Sequence, residues 1–361
     1  MVDKNWLIRS QGSNEDVKNI MEVLGVEMPI ANLLVQRGIK TFDQAKAFFR
    51  PNLSDLHDPF LMKDMENAIL RLDAAIKGNE KIMIYGDYDV DGTTAVAMMY
   101  TFFKNYTDKI IYYIPDRYIE GYGISIKGID YAAIEGVTLI IALDCGIKAI
   151  EKVEYAKSRG IDFIICDHHT SGNQIPKAIA VLDPKRHDCS YPYKELSGCG
   201  VGFKLLQAYS LKNNISLDYL FTFLDLVAVS IASDIVPITG ENRILAYYGL
   251  KQLNTNPRKG LKAIIKIAGI DNKEICIDDI VFKIGPRINA AGRIETGKSS
   301  VELLIADDEN YASDIGDHIN GFNNTRRSID NTITKQALEQ INSNKELQKR
   351  TTTVVFNPNW H

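Results

Sequence analysis

From about residue 65 the chain alternates short apolar runs with amphipathic stretches. The runs Ile82–Tyr85, Lys109–Ile114, Leu139–Leu143, Asp162–Cys166 and Ala178–Leu182 read as strands. Between them, 93–105, 125–135 and 147–159 carry helical periodicity, and Gly160 is placed to end the last of these. Strands alternating with helices predict a parallel sheet covered on both faces. Residues 1–60 read as a mostly helical lead-in, with a helix over Thr41–Phe49 capped by Thr41 and ended by Pro51. Beyond about residue 200 helical patterns dominate, and Tyr311–Leu347 reads as one long polar-faced connector. Thr351–Phe356 (TTTVVF) is β-branched and predicts a strand. One strand cannot bury its own apolar face, so this end of the chain reads as the opening of a further domain.

The resulting expectation is a lead-in over 1–64, an α/β domain over 65–250, a helical region with a connector helix over 251–350, and the start of another domain over 351–361. A length of 361 residues agrees with about two domains and a fragment of a third. With 45% hydrophobic and 24% charged residues, collagen-like, disordered and disulfide-scaffold classes are excluded. Five cysteines, odd in number and never spaced CxxC, argue against a disulfide framework and a zinc knuckle and point to a reducing cytoplasm. The first residues lack an apolar core of the signal-peptide kind, and no apolar run approaches the roughly 20 residues that span a bilayer. Neither secretion nor membrane insertion is expected. The net charge of -4 does not mark a nucleic-acid binder, although 251–300 carries ten Lys or Arg against five Asp or Glu.

Candidate chemistry sits where the apolar runs stop. Ile82–Tyr85 leads into GDYDVDGTT, which sets Asp87, Asp89 and Asp91 at alternate positions ahead of a helix. In extended backbone such positions share a face. Three carboxylates so close repel one another and do not all ionise without a compensating cation. No lysine stands nearby in sequence, and the GKS or GKT of a phosphate-binding loop is missing.

The arrangement recurs three times. Leu143 is followed by Asp144, Cys166 by Asp167, His168 and His169, and the apolar segment Leu226–Ala232 by Ser233 and Asp234. Ligands of open α/β sheets bind outside the carboxyl ends of the strands, so these groups are expected to converge. Acids with one or two imidazoles offer hard oxygen and a little nitrogen, which suits Mn2+ or Mg2+. More acids are present than one ion needs. Two bridged ions about 3.5–4 Å apart fit better, an arrangement suited to phosphoester hydrolysis.

Taken together, the DYDVDG, LDCG, DHH and SDIVP motifs, spanning residues 87–237, resemble the DHH phosphoesterase superfamily. Three more segments narrow the likeness to its RecJ branch of single-strand-specific 5'-to-3' DNA exonucleases: IPDRYIEGYGIS (114–125), SGCGVGFKL (197–205) and GPRINAAGRIETG (285–297). The likeness covers about residues 20–361.

The resemblance implies that Asp89, Asp91, Asp144, His168 and Asp234 are metal ligands, with Asp144 between the ions and Asp87 beside them. It implies that His169 faces the scissile phosphate, that Asp167 orients an imidazole, and that Arg287, Asn289 and Arg293 contact DNA phosphates. Arg117 and Tyr122 would shape the strand entrance, where an aromatic can stack on a base. The implied fold is a parallel-sheet DHH domain with helices on both faces, then a helical region, the connector helix and the first strand of a DHHA1-type domain. The implied partners are single-stranded DNA, a helicase and single-strand-binding protein, in repair and recombination.

Two other readings stay open. A small-substrate DHH phosphodiesterase acting on nanoRNA or cyclic dinucleotides is opposed by the 285–297 segment and the long connector. A replication scaffold that keeps the fold but has lost its metals is opposed by intact acids in all four motifs. RecJ proteins continue into a DHHA1 domain with a GGH segment and an OB-fold. Only the start of the former is expected here, so the metal site is expected to be complete while the far wall of the DNA cleft, with much of the 5'-end pocket, is expected to lie outside this polypeptide.

Overall fold

The computed structural model describes residues 6–294 and 296–360, except the side chain of Ile294. Glu295 of the 285–297 segment and the first five residues of the lead-in therefore lie outside it. The lead-in holds α1 (Asn14–Leu24), α2 (Met28–Val35) and α3 (Phe42–Phe49). These close a small core of their own around Ile20, Ala31, Leu34 and Ala45. Thr41 caps α3 through a reciprocal box with Gln44. α4 (Met65–Lys77) then leads to the sheet.

The apolar runs form β1 (Lys81–Gly86), β2 (Ile110–Tyr113), β3 (Val137–Leu143), β4 (Asp162–Cys166) and β5 (Ala180–Leu182). All neighbours pair in parallel, in the order β2-β1-β3-β4-β5. The connecting helices are α5 (Val90–Phe103), α6 (Ile126–Ile134) and α7 (Ile150–Ser158). Successive strand residues serve opposite faces. Ile82, Ile84, Leu139 and Ile141 join α4 and α5 in one core, while Met83, Tyr85, Ile140 and Ala142 join α6 and α7 in the other. The strands are apolar throughout because neither face meets water. The chain leaves β1 toward β2 on one side and returns to β3 on the other, which opens a crevice at the carboxyl ends of β1 and β3.

Helices complete the molecule. α8 (Gly198–Lys212), α9 (Leu217–Phe221), α10 (Leu224–Ser233), α11 (Gly240–Thr255) and α12 (Lys259–Ile267) follow β5. The apolar segment before Asp234 is thus a helix. It is mostly apolar because it packs against α5, α8 and α11, with every residue from Leu224 to Ala232 buried and the one acid among them, Asp225, paired with Arg258. α13 (Ile277–Asp279) passes through a π-helical turn, Ile280–Ile284, into α14 (Gly285–Ile294), and α15 (Lys298–Ile305) follows.

The expected long connector is α16 (Glu309–Ser343), and Asn344 separates it from a short α17 (Lys345–Gln348). The strand expected over Thr351–Phe356 is not there. That run is irregular, with Val354 92% and Phe356 77% exposed. Its β propensity has no neighbouring strand among the described residues to satisfy its backbone, and propensity alone does not make a strand. Among the described residues, no helix is long and apolar enough to cross a membrane, and all five cysteines are free.

Candidate metal centre

Each ligand-bearing segment reaches the crevice by its own local geometry. Asp87 follows β1 directly and is fully buried. Asp89 is the N-cap of α5, where its carboxylate accepts from Gly92 N at 3.0 Å, and Asp91 lies in the first helical turn. The shared face of an extended strand is therefore not what gathers these acids. The strand ends before Asp87, and the turn into α5 carries the other two. Gly92 permits that turn, since a Cβ there would lie 2.5 Å from the Asp87 carbonyl oxygen.

Asp144 ends β3 with φ +59, a left-handed conformation that Asp tolerates better than most residues. Its N–H still donates to Cys166 O at 2.8 Å, so the ladder holds the turn. Asp234 is the C-cap of α10, and the next residue, Ile235, is left-handed at φ +59. A β-branched residue in that region is strained.

These side chains meet. His168 Nε2 lies 3.2 Å from Asp144 Oδ1, 3.6 Å from Asp234 Oδ2 and 3.7 Å from Asp91 Oδ2. Ligand atoms of Asp87, Asp89 and Asp144 form one group within 4.8 Å, those of Asp91, His168 and Asp234 a second, and those of Asp144, His168 and His169 a third. Asp144 thus stands between the first two groups. Both oxygens of Asp87, Oδ1 of Asp144 and both ring nitrogens of His168 are buried without a hydrogen-bond partner. Buried polar atoms are normally satisfied, so these residues fit a cation well.

The charge balance points the same way. Burial, and then Asp89, pushes the Asp87 carboxyl up to about 7. Desolvation, and then Asp91 and Asp89, does the same for Asp234, to about 7. Asp144 is raised well above the usual carboxylate range by complete burial and by Asp91 and Asp89. Acids so placed are a cation site awaiting charge.

His169 has a different environment. Its Nδ1 is 2.7 Å from Asp167 Oδ1, and that hydrogen bond holds the imidazole above its ordinary range. Its Nε2 is 3.1 Å from the Tyr122 hydroxyl. Asp167 also accepts from the N–H groups of Ile147 and His168. Asp167 therefore orients His169, and Tyr122 reaches the same imidazole from the 114–125 loop.

The remaining expected residues divide. Asn289 and Arg293 line a cavity beside Val90 and Ser233. Arg287 is not brought there: its guanidinium donates to Asn320 Oδ1 and Lys283 O. Arg117 is exposed and lies 5.2 Å from the centre of the Tyr88 ring.

Four further residues take part: Gly198 and Cys199, whose segment 197–205 the sequence marked without assigning them a role, and Ser230 and Lys185. Both oxygens of Asp91 are held at 2.7 Å by the N–H groups of Gly198 and Cys199, at the start of α8, and Ser230 Oγ donates to Asp91 Oδ1 at 2.7 Å. A Cβ on Gly198 would sit 2.6 Å from Asp144 Cβ. Ser230, buried between apolar neighbours in α10, and glycines just after a capping Ser197 were the available signals. Lys185, beyond β5, lies near enough to Asp234 and His168 to bias both.

Residues 81–231 match the DHH family, N-terminal domain. The chain is 38% identical over 356 residues to the single-stranded-DNA-specific exonuclease RecJ of Bacillus subtilis (strain 168), covering 99% of this chain and 44% of that protein. It is 32% identical to the protein of the same name from Escherichia coli (strain K12), covering 83% of this chain and 54% of that one. Among solved structures, RecJ from Thermus thermophilus in complex with Mn2+ is similar at TM-score 0.77 and 26% identity, over 90% of this chain and 46% of that chain. An exonuclease RecJ bound to manganese is similar at TM-score 0.72 and 28% identity, over 80% and 72%. The chain spans about half the length of these curated relatives.

Proposed function

We propose that this chain, whose residues 81–231 match the DHH family, N-terminal domain, performs the chemistry of a RecJ-type exonuclease, hydrolysing single-stranded DNA from the 5' end with two Mn2+ or Mg2+ ions. The observation that carries this reading is the set of unpaired buried atoms on Asp87, Asp144 and His168, held in one crevice with Asp89, Asp91 and Asp234. Asp87, Asp89 and Asp144 would hold one ion, and Asp91, His168 and Asp234 the other, with Asp144 shared. When bound, such a pair supplies an activated water and offsets charge on the leaving oxygen.

The protein's own groups do the rest. Asp167 keeps His169 oriented and favours its protonated form, so that its Nε2–H donates to an oxygen of the scissile phosphate once Tyr122 gives way. Asn289 and Arg293 bind backbone phosphate near the crevice. Arg117 and Tyr122 border the entrance and favour a single strand with bases free to stack. Cytoplasmic location fits the free cysteines, and a helicase and single-strand-binding protein are natural partners for an enzyme that needs unwound DNA. The division into lead-in, α/β part and helical part is supported by the lead-in's separate core.

The test is digestion of end-labelled single strands in Mn2+, with a cyclic dinucleotide alongside. Early release of the 5' label as mononucleotide, late release of the 3' label and an untouched cyclic dinucleotide are expected. Turnover of the cyclic dinucleotide with intact strands would transfer the chain to the small-substrate class.

A further inference from the structure

The lead-in and the rest of the chain leave a cavity of about 770 Å3 between them. One wall is made by the turn after α2 and by α3, the other by Asp55, His57 and the start of α11. None of its lining residues belongs to the metal centre or to the arginine segment. Small-molecule sites are commonly found at such joints between separately packed parts, in volumes of about 300–1,000 Å3.

Arg243, near the start of α11, is half-buried in this cavity. Its guanidinium carbon lies 3.6 Å from the centre of the Phe48 ring, and its Nε donates to Phe48 O. Its terminal nitrogens have no protein partner among the described residues. Arg71, Arg186 and Arg258 are shielded from solvent too, and each is bonded to a carboxylate. Arg243 meets none: burial pulls it below its ordinary pKa, and no described acid pulls it back. Glu241, two residues away, is turned to Lys204, Tyr191 and the His57 N–H. A shielded charge is stable only when paired, so this guanidinium calls for an anion.

The other fittings narrow the ligand. Arg9 and Arg37 also line the cavity, and among the described residues Asp55 is the one carboxylate there not already bonded. The balance is cationic and favours an anionic ligand. Two amides add a polar edge. Gln36 donates to Ser10 O, which leaves its oxygen, and the Gln44 oxygen accepts from the Lys40 and Thr41 N–H groups, which leaves its amino group. A donor and an acceptor beside the apolar side chains of Ile39, Ile238 and Ile244 suit a flat heterocycle with polar edges. Bare phosphate would use the cations alone.

We propose that this cavity binds a nucleoside 5'-monophosphate, its phosphate on Arg243 with Arg9 and Arg37 and its base between the amides and the isoleucines. The choice of ligand rests on the nuclease reading, which makes such nucleotides the product of the reaction. The site is separate from the metal centre, so the chain holds its product at a second place, where the lead-in meets α11.

The test titrates deoxyadenosine 5'-monophosphate into the full 361-residue chain in EDTA, followed by calorimetry and by isoleucine methyl NMR. Binding is expected to shift the methyl signals of Ile39, Ile238 and Ile244. Deoxyadenosine and inorganic phosphate, each alone, should bind about tenfold more weakly or worse, and Arg243→Gln should lose about tenfold or more in affinity for the nucleotide. If that variant melts at a lower temperature than the parent, the double variant Arg9→Ala, Arg37→Ala decides in its place, since both side chains are exposed, with the same expected loss. Unchanged affinity in the deciding variant would overturn the proposal. So would deoxyadenosine or inorganic phosphate binding as tightly as the nucleotide, methyl shifts confined to other isoleucines, or no binding at millimolar concentration. Metal and strand are absent throughout, so these outcomes stand apart from the nuclease reading, which the end-label digestion decides by itself.

Discussion

The cradle and the arginine segment beside it hold charge in opposite ways. Asp91 is 1% exposed, and its carboxylate is fixed by two backbone N–H groups and a serine hydroxyl. Arg293 is exposed on α14, at the end of a long side chain, although the same cavity touches both Val90 and Arg293. Backbone amides cannot move without moving a helix, so the cradle is preorganised for small ions at defined points. A guanidinium on a flexible stem adapts to a polymer whose phosphates arrive in varied positions. Substitutions are therefore expected to be tolerated hardly at all in the cradle, and readily along the side proposed to hold the strand.

The largest effect is expected at Asp144, the residue proposed to be shared between the two ions. Asp144→Ala is expected to abolish Mn2+-dependent release of mononucleotides while leaving the circular dichroism spectrum intact, and equal turnover by variant and parent would refute the shared-ligand assignment. Gly198→Ala comes next, because the added methyl collides with Asp144. It should destabilise the fold by about 1–3 kcal/mol in urea titration and weaken Mn2+ binding by roughly 10- to 100-fold in calorimetry.

A third test concerns orientation. The bond to Asp167 raises the His169 pKa, so Asp167→Asn should bring it down. In the parent, protonated His169 persists to higher pH and is lost as pH rises through the raised value; in the variant that loss begins at lower pH. Histidine NMR titration reads the change directly. The smallest effect belongs to the adaptable side. Arg293→Gln should weaken single-strand binding only several-fold and reduce the slope of log affinity against log salt by about one.

Much of this was legible in the residues. β1, β3 and β4 could be located because a strand buried on both faces must be apolar throughout, and the buried acids Asp87, Asp144 and Asp167 mark where each strand ends. Segments whose structure depends on partners distant in sequence were less legible. Alternate acids in DYDVD suggested an extended face, but the close approach of Gly92 to Asp87 starts the helix there. TTTVVF has strand composition and, among the described residues, no strand beside it. Arg287, on the same helix as Arg293, is turned toward Asn320 on α16. Two of the three donors to Asp91 are backbone N–H groups, so only the glycines after Ser197 and the buried Ser230 pointed to the clamp.

The claim on which the account turns is that six side chains hold two cations with Asp144 common to both. Electron paramagnetic resonance of the Mn2+-loaded chain, with stoichiometry from the same titration, addresses it most directly. The expected result is two ions per chain with the spectrum of an exchange-coupled pair, reduced to isolated-ion signals in Asp144→Ala. A single uncoupled ion in the parent, or none at saturating Mn2+, would contradict it.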